Sequence, residues 1–311
     1  MQRRHSRRHL AWRGGVAAVS NALMFTGLYP LLPHAWRLLA GHDLGDSPVR
    51  TALVEWGASL VLSAARPLGF LPLPGARTHG PRPIIVLHGY AMNRANFLPL
   101  AFRLARAGLG PVLGFEYWTL GRTAAAARRL GWFIDEVRAA TGAAEVDVIG
   151  HSMGGMVGRY YVSLAGGDGI VRNLITIGSP HTGTEISRIG IGHPTRELVL
   201  GSPLLTRLAA APPPVRTRVV AVWSRGDALV PGARQLALPG AEVVMFPDLG
   251  HVALLGSRRV ARAVIDRLSD GAAGRGRVTR VGRTASPWSR ARSSRRSAGR
   301  SPRRRAAGSR S

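Results

Sequence analysis

The sequence predicts an α/β fold built on a mostly parallel, doubly wound sheet, with a cap inserted late in the chain. Three observations predict it. Short apolar runs alternate with amphipathic stretches from 83 to 268, several runs end at Gly or His-Gly, and one strand-to-helix turn reads Gly150-His151-Ser152-Met153-Gly154. Buried parallel strands read as continuous apolar runs, and strands alternating with helices imply right-handed crossovers.

PIIVLH at 83–88 is the first strand candidate. A helix follows at 96–107, with Phe97, Leu100, Leu104 and Ala107 on one face and Gly108 as its stop signal. PVLGFEY at 111–117 is the next strand. The stretch 121–140 aligns Ala127, Leu130, Ile134 and Val137 as an apolar stripe and stops at Thr141-Gly142. VDVIG at 146–150 enters the Ser152 turn, and a helix resumes over 153–165 with Met156, Tyr160 and Leu164 aligned. NLITIG at 173–178, VVAVWS at 219–224 and a run at 242–246 complete the strands, and a final helix covers 252–268.

These elements place one catalytic domain at 81–270. Residues 1–13 form a basic N-terminus, 14–40 a hydrophobic anchor or signal-like segment, 41–80 a linker with a second apolar segment, and 271–311 a disordered Arg-rich tail. The formal charge of +27 is terminal in origin: 13 arginines follow residue 270 and five precede Gly14, leaving +9 for the middle of the chain. Such ends attract anionic surfaces by screened charge or simply remain solvated, so a membrane surface is an expected partner and nucleic acid is not. The chain has no cysteine, which excludes disulfides and thiol catalysis.

Residues 14–32 carry no charge and are long enough to cross a bilayer as a helix. The arginines before them predict a cytoplasmic N-terminus and a catalytic domain on the other side. No small-x-small cleavage site follows, which favours an uncleaved anchor over a secreted form. The second stretch, 52–74, is interrupted by Glu55, Arg66 and prolines. It reads as a poor span, an interfacial segment, or a helix packed on the domain.

The Gly150-to-Gly154 turn carries the chemistry. A serine between a strand and a helix must sit on a turn tight enough to push its hydroxyl above the sheet, and Gly150 and Gly154 remove side chains that would collide there. The same turn aims the amide of Met153 at a developing oxyanion, and the amide of Tyr90, in His88-Gly89-Tyr90 after the first strand, is the expected second donor.

At this point the chain resembles the bacterial triacylglycerol lipases and related esterases of the α/β-hydrolase superfamily. The matching pieces are VLHGYAMNRANF, VDVIGHSMGG, TIGSPHTGT and WSRGDALVP, followed by FPDLGH. The resemblance implies a minimal α/β-hydrolase fold beginning at what the family counts as its third strand.

A serine needs an imidazole base and a carboxylate to orient it, in the order Ser, acid, His. Of three histidines after Ser152, His181 and His193 read as cap or loop residues, and His251, in the loop before the last helix, is the base candidate. Asp227, just past the strand at 219–224, is the acid candidate, with Asp248 as the alternate. The cap at about 181–216 offers Leu204 and Leu205, and the strand ends offer His88 and His151, as residues lining the substrate site. No cofactor and no metal are expected. The predicted function is hydrolysis of lipid-like carboxylic esters through an acyl-enzyme; a thioesterase, amidase, acyltransferase or non-catalytic membrane-tethered binding protein are the alternatives.

Overall fold

A computed structural model describes residues 31–39, 44, 47–77, 80, 82–230 and 238–269. Six strands form one sheet: β1 (Ile84–Leu87), β2 (Val112–Phe115), β3 (Val146–His151), β4 (Val171–Ile177), β5 (Arg218–Ser224) and β6 (Glu242–Phe246). They are all parallel in the order β2-β1-β3-β4-β5-β6. The chain runs from β1 outward to β2, then returns past β1 to β3. The strand order therefore reverses between β1 and β3, the place where the loops at the strand ends part and open a crevice.

The period of two along each strand splits the core by sheet face. Ile84, Val86, Ile149, Ile175 and Val220 pack with α3 (Leu98–Arg106) and α9 (Arg258–Ser269). Ile85, Leu87, Val148 and Leu174 pack with α4 (Thr123–Thr141) and α5 (Met153–Leu164). The expected stripe of Ala127, Leu130, Ile134 and Val137 is buried, and α4 ends at left-handed Gly142, whose amide donates to the Arg138 carbonyl at 2.8 Å.

Two helices differ from expectation. A 3-10 turn, Arg94–Phe97, precedes α3, which stops at Arg106 and leaves Ala107 exposed. Asn93 initiates that turn by accepting from the Ala95 amide while Asn96 accepts from the Asn93 amide, both at 3.1 Å. The final helix is broken into α8 (Ala253–Gly256) and α9, because Ser257 turns extended and its oxygens accept from the Val260 and Ala261 amides, starting a new helix. The segment expected as the cap, about 181–216, contains a 3-10 turn at Glu185–Ile189 and two short helices, α6 (Pro194–Glu197) and α7 (Pro203–Ala210).

The largest departure lies before the sheet. Residues 14–30 and 270–311, which carry most of the expected anchor and the Arg-rich tail, lie outside the described residues. No helix among the described residues is long and apolar enough to cross a membrane. The end of the expected anchor is α1 (Leu31–Leu39), and the expected linker carries α2 (Pro48–Ala64) followed by a 3-10 turn at Arg66–Phe70. Thr51, Glu55, Ser59 and Leu62 recur at helical spacing and face inward, whereas Val49, Leu53 and Val61 face outward. A mostly polar face is therefore the packed one, the reverse of an ordinary amphipathic surface helix.

Candidate active site

The β3–α5 turn holds Ser152 at φ 54°, ψ −123°, a conformation that costs a non-glycine residue of the order of 1–3 kcal/mol. The surroundings enforce it. The Ser152 amide donates to the Ile177 carbonyl at 2.8 Å. A Cβ on Gly150 would lie 2.5 Å from the Gly155 Cα, and one on Gly154 would lie 2.7 Å from the His88 carbonyl oxygen. Both glycines thus do what the motif requires of them: they let the new helix lie against the neighbouring strand ends.

The loop after β1 closes over this turn. A Cβ on Gly89 would lie 3.2 Å from the Ser152 Cβ, so the peptide leading to Tyr90 passes close to the serine. Ala91 beyond it has φ 53°, its amide donates to Thr119 Oγ1 at 3.2 Å, and its carbonyl accepts from Arg66 at 2.6 Å. The Met153 amide, first of α5, is among the N–H groups that no helical carbonyl can satisfy. The Tyr90 hydroxyl bridges to the cap, donating to the Ile191 carbonyl at 3.0 Å and accepting from its amide at 2.9 Å.

His251 and Asp227 meet across 24 residues: Nδ1 donates to Asp227 Oδ2 at 2.7 Å. Asp227 Oδ1 accepts from the Leu229 and Val230 amides, each at 2.9 Å, so the carboxylate is fixed on both oxygens. This pairing leaves Nε2 as the acceptor of the ring. Burial pulls the His251 pKa down, but the Asp227 charge and hydrogen bond outweigh it and hold the imidazole above the usual 6.5. Asp248, the alternate acid, turns away to Arg259 at 2.7 Å.

Ser152, Met153, Tyr90 and His251 all line one cleft of about 1030 Å³, its open mouth included. The rest of its wall is largely apolar, with Met92, Ile186, Leu198, Leu229 and Val230. It also takes Ser59, Leu62 and Arg66 from the N-terminal segment, which sequence reasoning assigned to a linker.

Four expected lining residues lie elsewhere. His88 is buried, stacks on Tyr117 at 4.7 Å between ring centroids and reaches the Gly89 carbonyl and Glu116. His151 is fully buried, and its Nε2 donates to the His251 carbonyl at 3.1 Å, so it props the loop of His251 and does not line the cleft. Burial, with the nearby His251 charge, pushes the His151 pKa well below 6.5, which keeps its ring neutral for that role. Leu205 packs into the core beneath the cap and Leu204 against it. Each strand-end ring is held by a backbone carbonyl, and apolar residues of the expected cap found the sheet before they found the cleft.

His181 is buried, with its Nε2 3.0 Å from Thr176 Oγ1 and its pKa lowered by burial to about 3; His193 is exposed. Neither lines the cleft. Among the described residues no group of three or more His, Asp or Glu side chains is arranged to hold a metal.

Sequence reasoning missed a set of polar residues from α1 and α2. Arg37 donates to the Ala228 carbonyl at 2.6 Å, His34 lies 3.3 Å from the Gly226 carbonyl, and Glu55 accepts from the Val252 and Ala253 amides. The available signal was Glu55 itself, the single carboxylate in an apolar run.

A family model described as alpha/beta hydrolase fold matches residues 82–195. Curated triacylglycerol lipases from Pseudarthrobacter phenanthrenivorans and Burkholderia plantarii are each 44% identical over 55 residues, 18% of this chain. The matched stretch spans only 17% and 15% of those proteins. Among solved structures, the mature Bacillus licheniformis lipase BlEst2 superposes with a TM-score of 0.54 at 15% identity, covering 61% of this chain and 94% of that one. Est1E from Butyrivibrio proteoclasticus gives 0.51 at 15% identity, covering 65% and 93%.

Proposed function

From the premise that the chain has an α/β-hydrolase fold, we propose that it is a serine hydrolase of apolar, lipid-like carboxylic esters. Ser152 is the nucleophile, His251 the general base, Asp227 the acid that orients it, and the Met153 and Tyr90 amides the oxyanion donors. One observation carries the reading: a serine held in a strained turn shares a cleft with an imidazole whose far nitrogen is anchored on a buried carboxylate at 2.7 Å.

In this mechanism Ser152 Oγ attacks the ester carbonyl as its proton passes to His251 Nε2, and the imidazolium formed is balanced by Asp227. The proton then leaves with the alcohol, and water activated by the same ring releases the acid from the acyl-enzyme. The apolar cleft favours an acyl chain over a polar metabolite, and the names of the two curated lipases point the same way.

Because a triad serves any acyl transfer, the acceptor and leaving group need a direct test. The full chain is expected to release carboxylic acid from p-nitrophenyl and glyceryl esters faster than it cleaves matched acyl thioesters or anilides. Faster thioester or anilide cleavage would reassign the substrate class, and no turnover of any of them would leave a binding protein.

We further propose that the enzyme works at a lipid surface, tethered through residues 14–32. Trp36 (71% exposed), Leu53, Val61 and Phe70 (88% exposed) present apolar side chains outward from α1, α2 and the turn after them, and aromatic side chains of this kind favour membrane interfaces. After alkaline carbonate extraction of membranes, the chain is expected in the pellet; its release into the supernatant excludes the tether.

A further inference from the structure

We propose that α1, α2 and the turn after them form a strap that positions the catalytic loops, with Glu55 as the positioning residue for His251; this rests on the triad reading above. The strap touches three of the loops that the chemistry uses. Arg66 holds the Ala91 carbonyl of the oxyanion loop, Arg37 and His34 reach the carbonyls on either side of Asp227, and Glu55 holds the two amides that follow His251.

Glu55 is 0% exposed. Its Oε1 accepts from the Val252 amide at 2.8 Å, and its Oε2 from the same amide at 3.0 Å and from Ala253 at 2.8 Å. Burying a carboxylate is costly unless hydrogen bonds compensate it, and an apolar side chain at this place in α2 would have packed more cheaply. What the carboxylate supplies and an apolar residue cannot is a fixed orientation for the 251–252 and 252–253 peptides, and through them for the His251 ring.

Two glycines make the fit. A Cβ on Gly250 would lie 2.7 Å from Glu55 Cβ and Cδ, and one on Gly226 would lie 2.8 Å from Thr51 Cγ2. The residue immediately before the base and the one immediately before the acid are thus bare on the side that meets α2. From the opposite direction His151 holds the His251 carbonyl, so the peptide that follows the base is held at its C=O by one side chain and at its N–H by the other. The Glu55 charge also adds to the upward pull that Asp227 exerts on the His251 pKa.

The test compares the full wild-type chain with Glu55→Met, which fills the space without an acceptor, and Glu55→Gln, which keeps one. Each is treated with a fluorophosphonate, whose phosphorus takes the Ser152 oxygen and releases fluoride, and each is assayed on a soluble p-nitrophenyl ester. Glu55→Met is expected to reach the wild-type labelling endpoint roughly 10- to 100-fold more slowly, with kcat reduced by the same factor and KM within about twofold, as expected for a displaced catalytic group. Glu55→Gln is expected to restore most of the rate.

Wild-type rates in Glu55→Met would overturn the proposal. So would a lowered endpoint or a lost fold, which would assign Glu55 to stability alone, or equal slowing in Glu55→Gln, which would show that the hydrogen-bond acceptor is not what matters. A wild-type chain that takes no label would remove the triad reading itself, and the positioning role with it.

Discussion

Ser152→Ala is expected to abolish ester turnover, lowering kcat by about 10⁶-fold, the size of effect found when a triad nucleophile is removed. The expectation follows from the turn as much as from the residue. The backbone strain at φ 54° is paid by hydrogen bonds and packing that do not involve the hydroxyl, including the Ser152 amide to the Ile177 carbonyl and the close approach of Gly154 to β1. Alanine keeps that amide and fits the same space, so the melting temperature is expected to stay close to wild type while activity falls to background. Steady-state assays with a thermal melt on the same sample check both halves. Retained turnover in a folded variant would move the nucleophile elsewhere.

Asp227→Asn is expected to cost about 10⁴-fold in kcat, with the fold again intact. The asparagine oxygen can still accept from the Leu229 and Val230 amides, as Asp227 Oδ1 does. Its NH₂ then faces His251 Nδ1, which must become an acceptor, and the ring proton moves to Nε2, where the serine proton has to go. The pH profile carries a second signature. With His251 as base, the wild type is expected to show its acid limb of kcat/KM above pH 6.5, because only the neutral ring accepts a proton, and to lose activity as pH falls through the raised His251 pKa. The groups facing the ring are Asp227, Glu55 and His151. Removing the Asp227 charge removes the largest upward pull, so residual activity in Asp227→Asn is expected to persist to lower pH. A limb unmoved by this substitution would separate Asp227 from the base.

The sheet was legible because its strands leave short, mainly apolar runs between turn residues, most continuous at fully buried β1, and six such runs stand where β1 to β6 form. The strained turn at Ser152 was legible because a local backbone requirement, bare positions on either side of it, writes itself into five consecutive residues. That His251 and Asp227 meet, at 2.7 Å, was to be expected from their order along the chain and from their lying after particular strands. The break at Ser257 was not legible, since a serine inside a helical pattern gives no warning that its oxygens will start a second helix.

A helix packed on the domain was one of three readings of the run at 52–74, but the face it turns inward was hidden for a physical reason. Hydropathy assumes that apolar residues point inward, but α2 turns Thr51 and Glu55 to the protein because the surface they meet is made of loop amides and carbonyls, which need polar partners. Those contacts join residues almost 200 positions apart, as Glu55 joins Ala253, beyond the reach of any periodicity. The cap was half legible. Ile186 and Leu198 do line the cleft, whereas Leu204 and Leu205 pack downward, and a short apolar run does not say which of its sides will find a cavity.

The nucleophile can be located outright. The chain has no lysine, so trypsin cuts it at arginine, and the peptide 139–159 contains Ser152 as its only serine. After reaction of the full chain with a fluorophosphonate, peptide mass spectrometry is expected to find one stoichiometric adduct, on Ser152 in that peptide. An adduct on another serine, or an unreacted folded chain, would contradict the account.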